Sequence, residues 1–259
     1  MSMGKQVIKV IFFGRKKVAA RCLAHLNQLE QIKIVGVITD DEFTNSATAK
    51  LAKEFGIPVF NEKSLIDDLK SGKLICDLGI SMLYWRIFKD ENFFKFKFGI
   101  INFHPAPLPA FKGVGGYNIA ILEDFKWWEV TAHFVNEEID SGDIIASKKL
   151  KINSQTETVV SLEAKSQKKL FDLFRDVMKT FLSDPTNLPR KQNIGGRYVN
   201  RLELEKMKEI KPGDIDLNRK IRAFWFPPYG GAFLRIKGVK YTLVSKEILK
   251  SLAKNDMSS

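Results

Sequence analysis

Val7-Ile-Lys-Val-Ile-Phe-Phe-Gly14 is a mostly apolar run of strand length that stops at a glycine. A single lysine interrupts it, so it lacks the strict alternation of a strand with one wet face. A helical stretch follows from Val18 to about Leu29. Ile32-Lys-Ile-Val-Gly-Val-Ile38 repeats the first pattern and ends at Thr39, Asp40 and Asp41. Ala47 to Phe55 reads as a helix stopped by Gly56, Ile57 to Phe60 as a short strand, and Ser64 as the cap of a helix running to Lys70. Cys76 to Leu83 and Gly99 to His104 are two further apolar strands. Apolar strands that alternate with helices imply a sheet covered on both faces. The expected fold class is therefore α/β, with a doubly wound, mostly parallel sheet whose ligands lie beyond the carboxyl ends of the strands.

Val130 to Asn136 and Ile145 to Ile152 add two strands. Between Thr158 and Leu182, Leu170, Leu173, Phe174, Val177 and Phe181 recur at helical spacing. That helix is expected to close a catalytic domain at residues 1–183. Ser183 to Pro189 reads as a linker into a small C-terminal α+β domain at 184–259. It should hold a helix from about Leu217 to Phe224, a turn-rich segment at Phe226 to Gly231, and a hairpin from Phe233 to Val244 that turns near Gly238.

The chain has 259 residues, 44% of them hydrophobic and 28% charged, enough to build a sizeable core. No apolar run approaches the roughly 20 residues of a membrane span. Val7 to Phe13 is too short and β-branched for a signal peptide. Cys22 and Cys76 have no zinc-site spacing and read as reduced thiols of a cytoplasmic protein. A net charge of +12 fits an anionic partner or a lysine-rich solvated surface, and composition leaves both open.

His25 lies in a helical pattern and reads as structural. His133 sits in an alternating strand and is expected to be structural too. His104 differs, because it ends a buried strand and opens the loop Pro105 to Gly116. Asn102 stands two residues earlier, so both side chains share one face. Pro105 holds His104 extended. An amide and an imidazole side by side at a strand's carboxyl end suit a developing oxyanion. Asp140, in Ile139-Asp-Ser-Gly-Asp143, could orient His104 and stabilise its imidazolium.

Asn102-Phe-His-Pro105, the proline-rich loop after it, and Ile139 to Asp143 resemble the folate-dependent formyltransferases. Over Val7 to Leu182 the chain is similar to that family, which includes glycinamide ribonucleotide, methionyl-tRNA and sugar N-formyltransferases. The resemblance implies a Rossmann-like catalytic domain and places the catalytic residues at Asn102, His104 and Asp140. It implies direct transfer from N10-formyltetrahydrofolate without a metal. Trp85-Arg86-Ile87-Phe88 resembles the segment that lines the folate pocket, and Glu137 and Ile139 would meet the pterin's hydrogen-bonding edge.

The expected acceptor is an amino-dideoxy sugar on a nucleoside diphosphate (dTDP, GDP or UDP), as in bacterial lipopolysaccharide O-antigen synthesis. Methionyl-tRNA formyltransferase is the alternative. Ile221 to Phe224 resembles that enzyme, but the chain after Gly231 is too short for its β-barrel, and Thr39 to Asn45 is short and acidic where it carries a basic insertion. Gly14, Arg15 and Lys16 are candidates for the diphosphate. Tyr117 and Asn118 are candidates for the sugar, and Tyr229 for stacking a base. The resemblance implies a homodimer with no membrane or nucleic-acid partner. A folate- or nucleotide-binding regulator without activity and a general RNA-binding protein are readings from other classes. The intact Asn102, His104 and Asp140 weigh against the first, and no RNA-recognition motif supports the second.

Overall fold

A computed structural model describes residues 7–39, 46–214 and 216–256. Asp40 to Asn45, most of the acidic stretch weighed against tRNA, lies outside the described residues. The chain runs β1 (Ile8–Phe13), α1 (Lys17–Asn27), β2 (Ile32–Ile38), α2 (Ala47–Glu54), β3 (Val59–Phe60), α3 (Glu62–Lys70) and β4 (Leu78–Met82). A short 3-10 turn precedes β5 (Ile100–His104), β6 (Phe111–Gly113), α4 (Gly116–Leu122), β7 (Trp127–Phe134), β8 (Ile144–Lys151) and α5 (Val159–Ser183). Then come β9 (Arg197–Val199), α6 (Arg201–Met207), α7 (Leu217–Phe224), β10 (Phe233–Ile236), β11 (Val239–Thr242) and α8 (Lys246–Asp256).

Seven strands make one sheet in the order β3-β2-β1-β4-β5-β7-β8. The pairs from β3 through β5 are parallel, and β7 joins β5 antiparallel. This is the expected mostly parallel, Rossmann-like architecture. Chain order reverses between β1 and β4, which puts the topological switch point at their carboxyl ends. Every residue of β4 is buried, and β1 is buried except at Lys9, which accounts for the mostly apolar runs. Phe13 anchors an aromatic cluster, with Phe88 at 4.9 Å, Tyr84 at 5.5 Å and Phe93 at 5.9 Å between ring centroids.

Packing divides the chain into two interleaved units. One takes Met1–Ala110, Glu129–Lys148 and Gln167–Gly196, and the other takes Phe111–Trp128, Lys149–Ser166 and Arg197–Ser259. The residues after α5, expected as a linker, lead back into the first unit, where Lys191 pairs with Ile144 beside β8. In the second unit Trp128 is fully buried against Phe111, Phe125 and Tyr117. The hairpin β10–β11 turns through Lys237 and Gly238, both at positive φ, as a two-residue turn requires.

The expected cap of α3 is corrected. Asn61, not Ser64, caps it: Asn61 Oδ1 accepts from Ser64 N at 2.8 Å, and Ser64 lies inside the helix. Asn61→Ala should cost about 1 kcal/mol in urea unfolding and Ser64→Ala less than about half of that. An equal loss for both would contradict the assignment.

Candidate functional site

The site grows from strand register. In the parallel pair Ser81 of β4 stands beside Asn102 of β5, and in the antiparallel pair His133 of β7 stands on its other side. Ser81 Oγ donates to Asn102 Oδ1 at 2.8 Å, and Asn102 Nδ2 donates to His133 Nε2 at 3.0 Å. His133 Nδ1 donates to the Phe134 carbonyl at 2.7 Å. These three bonds agree on one amide orientation and one tautomer for neutral His133. An amide carries two N–H groups, so one remains for a ligand.

His104 ends β5 on the same face. Opposite it, Thr131 Oγ1 donates to the Ala106 carbonyl at 2.8 Å and accepts from Leu108 N at 3.1 Å. The loop leaving His104 is thereby pinned at two points by one fully buried hydroxyl.

Asp140 arrives on the excursion between β7 and β8. That loop leaves Phe134 and returns to it, since Phe134 N donates to the Asp143 carbonyl at 2.9 Å. A Cβ on Gly142 would lie 1.9 Å from the Phe134 carbonyl oxygen, so only glycine fits there. Asp140 has φ 50°, an unusual value for a residue with a side chain. Asn193 Nδ2 donates to the carbonyls of both Asp140 and Gly142 at 2.9 Å. The Asp140 carboxylate then stands 3.5 Å from His104 Nδ1 and 3.7 Å from His133 Nε2. The structure thus brings Asn102, His104 and Asp140 together. An amide N–H and an imidazole on one face of β5, with a carboxylate 3.5 Å from the imidazole, can hold an oxyanion and move a proton.

Three further residues of this site lie outside the expected set. His133 was expected to be structural, and its place beside Asn102 follows only from the β5–β7 register. Ser81 left a signal, as the only hydroxyl in the apolar strand Leu78 to Met82. Asn193 lies far along the chain in an irregular segment with no motif.

The remaining expected residues separate. Trp85 and Ile87 are half-exposed, so neither is core. Phe88, expected to line the pocket, is buried with its ring packed within the Phe13 cluster. Arg86 pairs with Glu62 at 3.0 Å and lines a groove of about 900 Å³ with Phe60 and Thr39. Glu137 lines another groove, of about 520 Å³, with Phe93, Ile100 and Val135, and Ile139 is exposed nearby in sequence. Gly14 is buried at the end of β1, where an added Cβ would lie 2.7 Å from the Met82 carbonyl oxygen. Arg15 and Lys16 are half-buried at the start of α1.

In the second unit Tyr117 and Asn118, expected at the sugar, are half-buried at the start of α4. Burial pushes the Tyr117 phenol far up, beside Ser166, and Asn118 Nδ2 donates to the Ala223 carbonyl at 2.6 Å. Tyr229 is 64% exposed and stacks on Phe226 at 5.5 Å with the rings nearly parallel. Among the described residues no group of three His, Cys, Asp or Glu could hold a metal ion. No described helix is long and apolar enough to cross a membrane.

A model of the family described as formyl transferase matches residues 8–177. A methionyl-tRNA formyltransferase of Buchnera aphidicola subsp. Baizongia pistaciae is 31% identical over 84% of this chain and 70% of the relative. A 4-N formyltransferase from Francisella tularensis superposes with a TM-score of 0.76 at 23% identity, over 92% of this chain and 97% of that one. An N-formyltransferase from Helicobacter canadensis, in complex with folinic acid and dTDP-3-aminofucose, gives 0.71 at 23% identity over 90% and 86%. At these identities the two superpositions speak for the fold.

Neither cysteine is available as a nucleophile. Burial raises the Cys22 thiol well above its ordinary value, and burial pushes Cys76 up to about 12. Both stay protonated at pH 8, and the thiolate is the reactive form. The folded protein should therefore resist a thiol reagent such as DTNB at that pH, with both thiols reacting after denaturation in urea. Rapid labelling of the folded chain would contradict this.

Proposed function

The chain belongs to the formyl transferase family, and from that premise we propose that it moves a formyl group from N10-formyltetrahydrofolate to the amine of a nucleoside-diphosphate-linked amino-dideoxy sugar. The observation that carries the reading is the convergence of Asn102, His104 and Asp140, with one Asn102 N–H left over from the Ser81–His133 network. The acceptor's nitrogen attacks the formyl carbon, the carbonyl oxygen takes up negative charge, and the bond to N10 then breaks. The Asn102 N–H and His104 hold that oxygen. His104, backed by Asp140, passes a proton from the attacking amine toward N10.

Folate as donor is supported by the family and by the folinic acid bound to the Helicobacter protein. The pterin would lie against exposed Trp85 and Ile87 and the backbone of Glu137 to Asp140. A sugar acceptor is supported by the dTDP-3-aminofucose of that same complex. The diphosphate would meet Arg15 and Lys16 at the start of α1. The exposed Tyr229 would stack the base. The reaction would take place in the cytoplasm, in a homodimer, and supply a formylated sugar for bacterial surface polysaccharide. The Buchnera relative favours a second reading, formylation of methionyl-tRNA.

A transfer assay decides between them. The protein with N10-formyltetrahydrofolate and a panel of dTDP-, GDP- and UDP-linked amino sugars should release tetrahydrofolate with one sugar. His104→Asn and Asn102→Ala should each lower kcat about 10²–10³-fold, the usual cost of one oxyanion donor. Formylation of charged initiator tRNA and of no sugar would move the assignment to the second reading.

A further inference from the structure

The segment Leu188 to Asn193 follows the long helix α5 and carries no motif. Leu188 is buried. The Arg190 guanidinium lies over the Phe134 ring, 3.8 Å from its centroid, and 3.6 Å from the Asp143 carboxylate. Lys191 exchanges two backbone hydrogen bonds with Ile144, at 2.8 and 2.9 Å. Asn193 ends the series, buried, with its amide on the Asp140 and Gly142 carbonyls. Phe134, Asp140, Gly142, Asp143 and Ile144 all belong to the excursion that carries Asp140 or to its two ends. Every polar contact named here thus bears on one loop.

That loop needs a brace. Its turn holds Asp140 at a positive φ, which an L side chain disfavours, so something outside the residue must hold it there. Within the loop, Asn136 Oδ1 accepts from Ser141 Oγ and Glu138 N, which fixes the exposed side. The buried side is held by the Asn193 amide, whose one nitrogen spans two carbonyls two residues apart. The Asp140 carboxylate reaches His104 only while that stretch of backbone stays in place.

We infer that Asn193 is a positioning residue for the reaction, setting the Asp140 carboxylate against His104 through the backbone of the loop. This rests on the catalytic role proposed for Asp140. Asn193 acts on the reaction through the loop backbone that carries Asp140.

The test is a double-mutant cycle on the full chain, read as kcat and KM with N10-formyltetrahydrofolate and the acceptor that the wild type formylates. Asn193→Ala, or the near-isosteric Asn193→Asp that lacks the donor, should lower kcat roughly thirty- to a hundredfold, the scale of a small misplacement of a catalytic group. KM for the folate should rise by a smaller factor than kcat falls, because the loop backbone also lies against the pterin while the Asp140 carboxylate acts in the chemical step. In an Asp140→Asn background the same change at Asn193 should cost no more than about twofold, as expected of residues acting as one unit. Independent, multiplicative losses would overturn the inference, as would a raised KM with kcat unchanged. If Asp140→Asn leaves kcat unchanged, the role of Asp140 falls, and this inference with it. If Asp140→Asn is severe and both Asn193 variants are silent, only this inference falls. Amide hydrogen exchange at 138–143 reads the brace without turnover, and unchanged protection in Asn193→Ala would also overturn it.

Discussion

The antiparallel pairing of β7 with β5 is the constraint on which the site depends. In a wholly parallel sheet β7 would run in the other direction, and the chain would leave it at the carboxyl end of β5. Here it leaves near Ile100, since Val135 N donates to that carbonyl at 2.8 Å. The chain must then fold back over the face of Asn102 and His104 before β8 begins. The excursion closes on Phe134, and its tightness is set by Gly142 against the Phe134 carbonyl. The same reversal places His133 opposite Asn102 and Thr131 opposite His104. A slip of one residue would turn both pairs to the other face of the sheet.

The polar groups gathered there are nearly all buried. Ser81, Thr131 and His133 are each about as inaccessible as the surrounding Ile and Phe side chains. A buried donor or acceptor left without a partner costs about 1–3 kcal/mol. The observed bonds avoid that cost in only a few arrangements, so the network fixes orientation as well as contributing stability. Asn102 shows this best. Ser81 can donate only to its oxygen, and neutral His133, with Nδ1–H committed to a carbonyl, can accept only from its nitrogen. The amide cannot flip without losing its bond to neutral His133 and setting its oxygen against that lone pair, so its remaining N–H keeps one direction.

How much was legible in the sequence follows from which forces act on each element. The central strands are dry on both faces, so their apolar runs announce them, and Asn102 and His104 stand out as polar residues two apart in such a run. The Asp-Ser-Gly turn was legible for the same reason, as polar punctuation between two strands. The three-residue strands β6 and β9 left no pattern, because a run that short has no periodicity to detect. Asn61 and Ser64 are both good capping residues, and only the backbone dihedrals separate them. Phe88 and Trp85 share one tetrapeptide, yet one is core and the other exposed, a difference set by the direction of an irregular loop. Tyr117 and Asn118 were expected at a ligand because they follow a glycine-rich loop. They begin a helix that packs on Trp128 and α7, a pairing that no local pattern announces. Asn193 is tied to Asp140 across 53 positions of the chain, a distance no local pattern spans.

The family match ends at residue 177, short of the Leu188 to Asn193 strap. The matched segment therefore includes the loop that carries Asp140 and leaves out the stretch that Asn193 braces it from. Chimeras joined at that border would combine a loop from one parent with a strap from the other. Exchange of tails between relatives, in the laboratory or over evolutionary time, would then disturb a loop that lies in the other parent's segment. The tail and the Asp-Ser-Gly turn would have to be inherited as a matched pair.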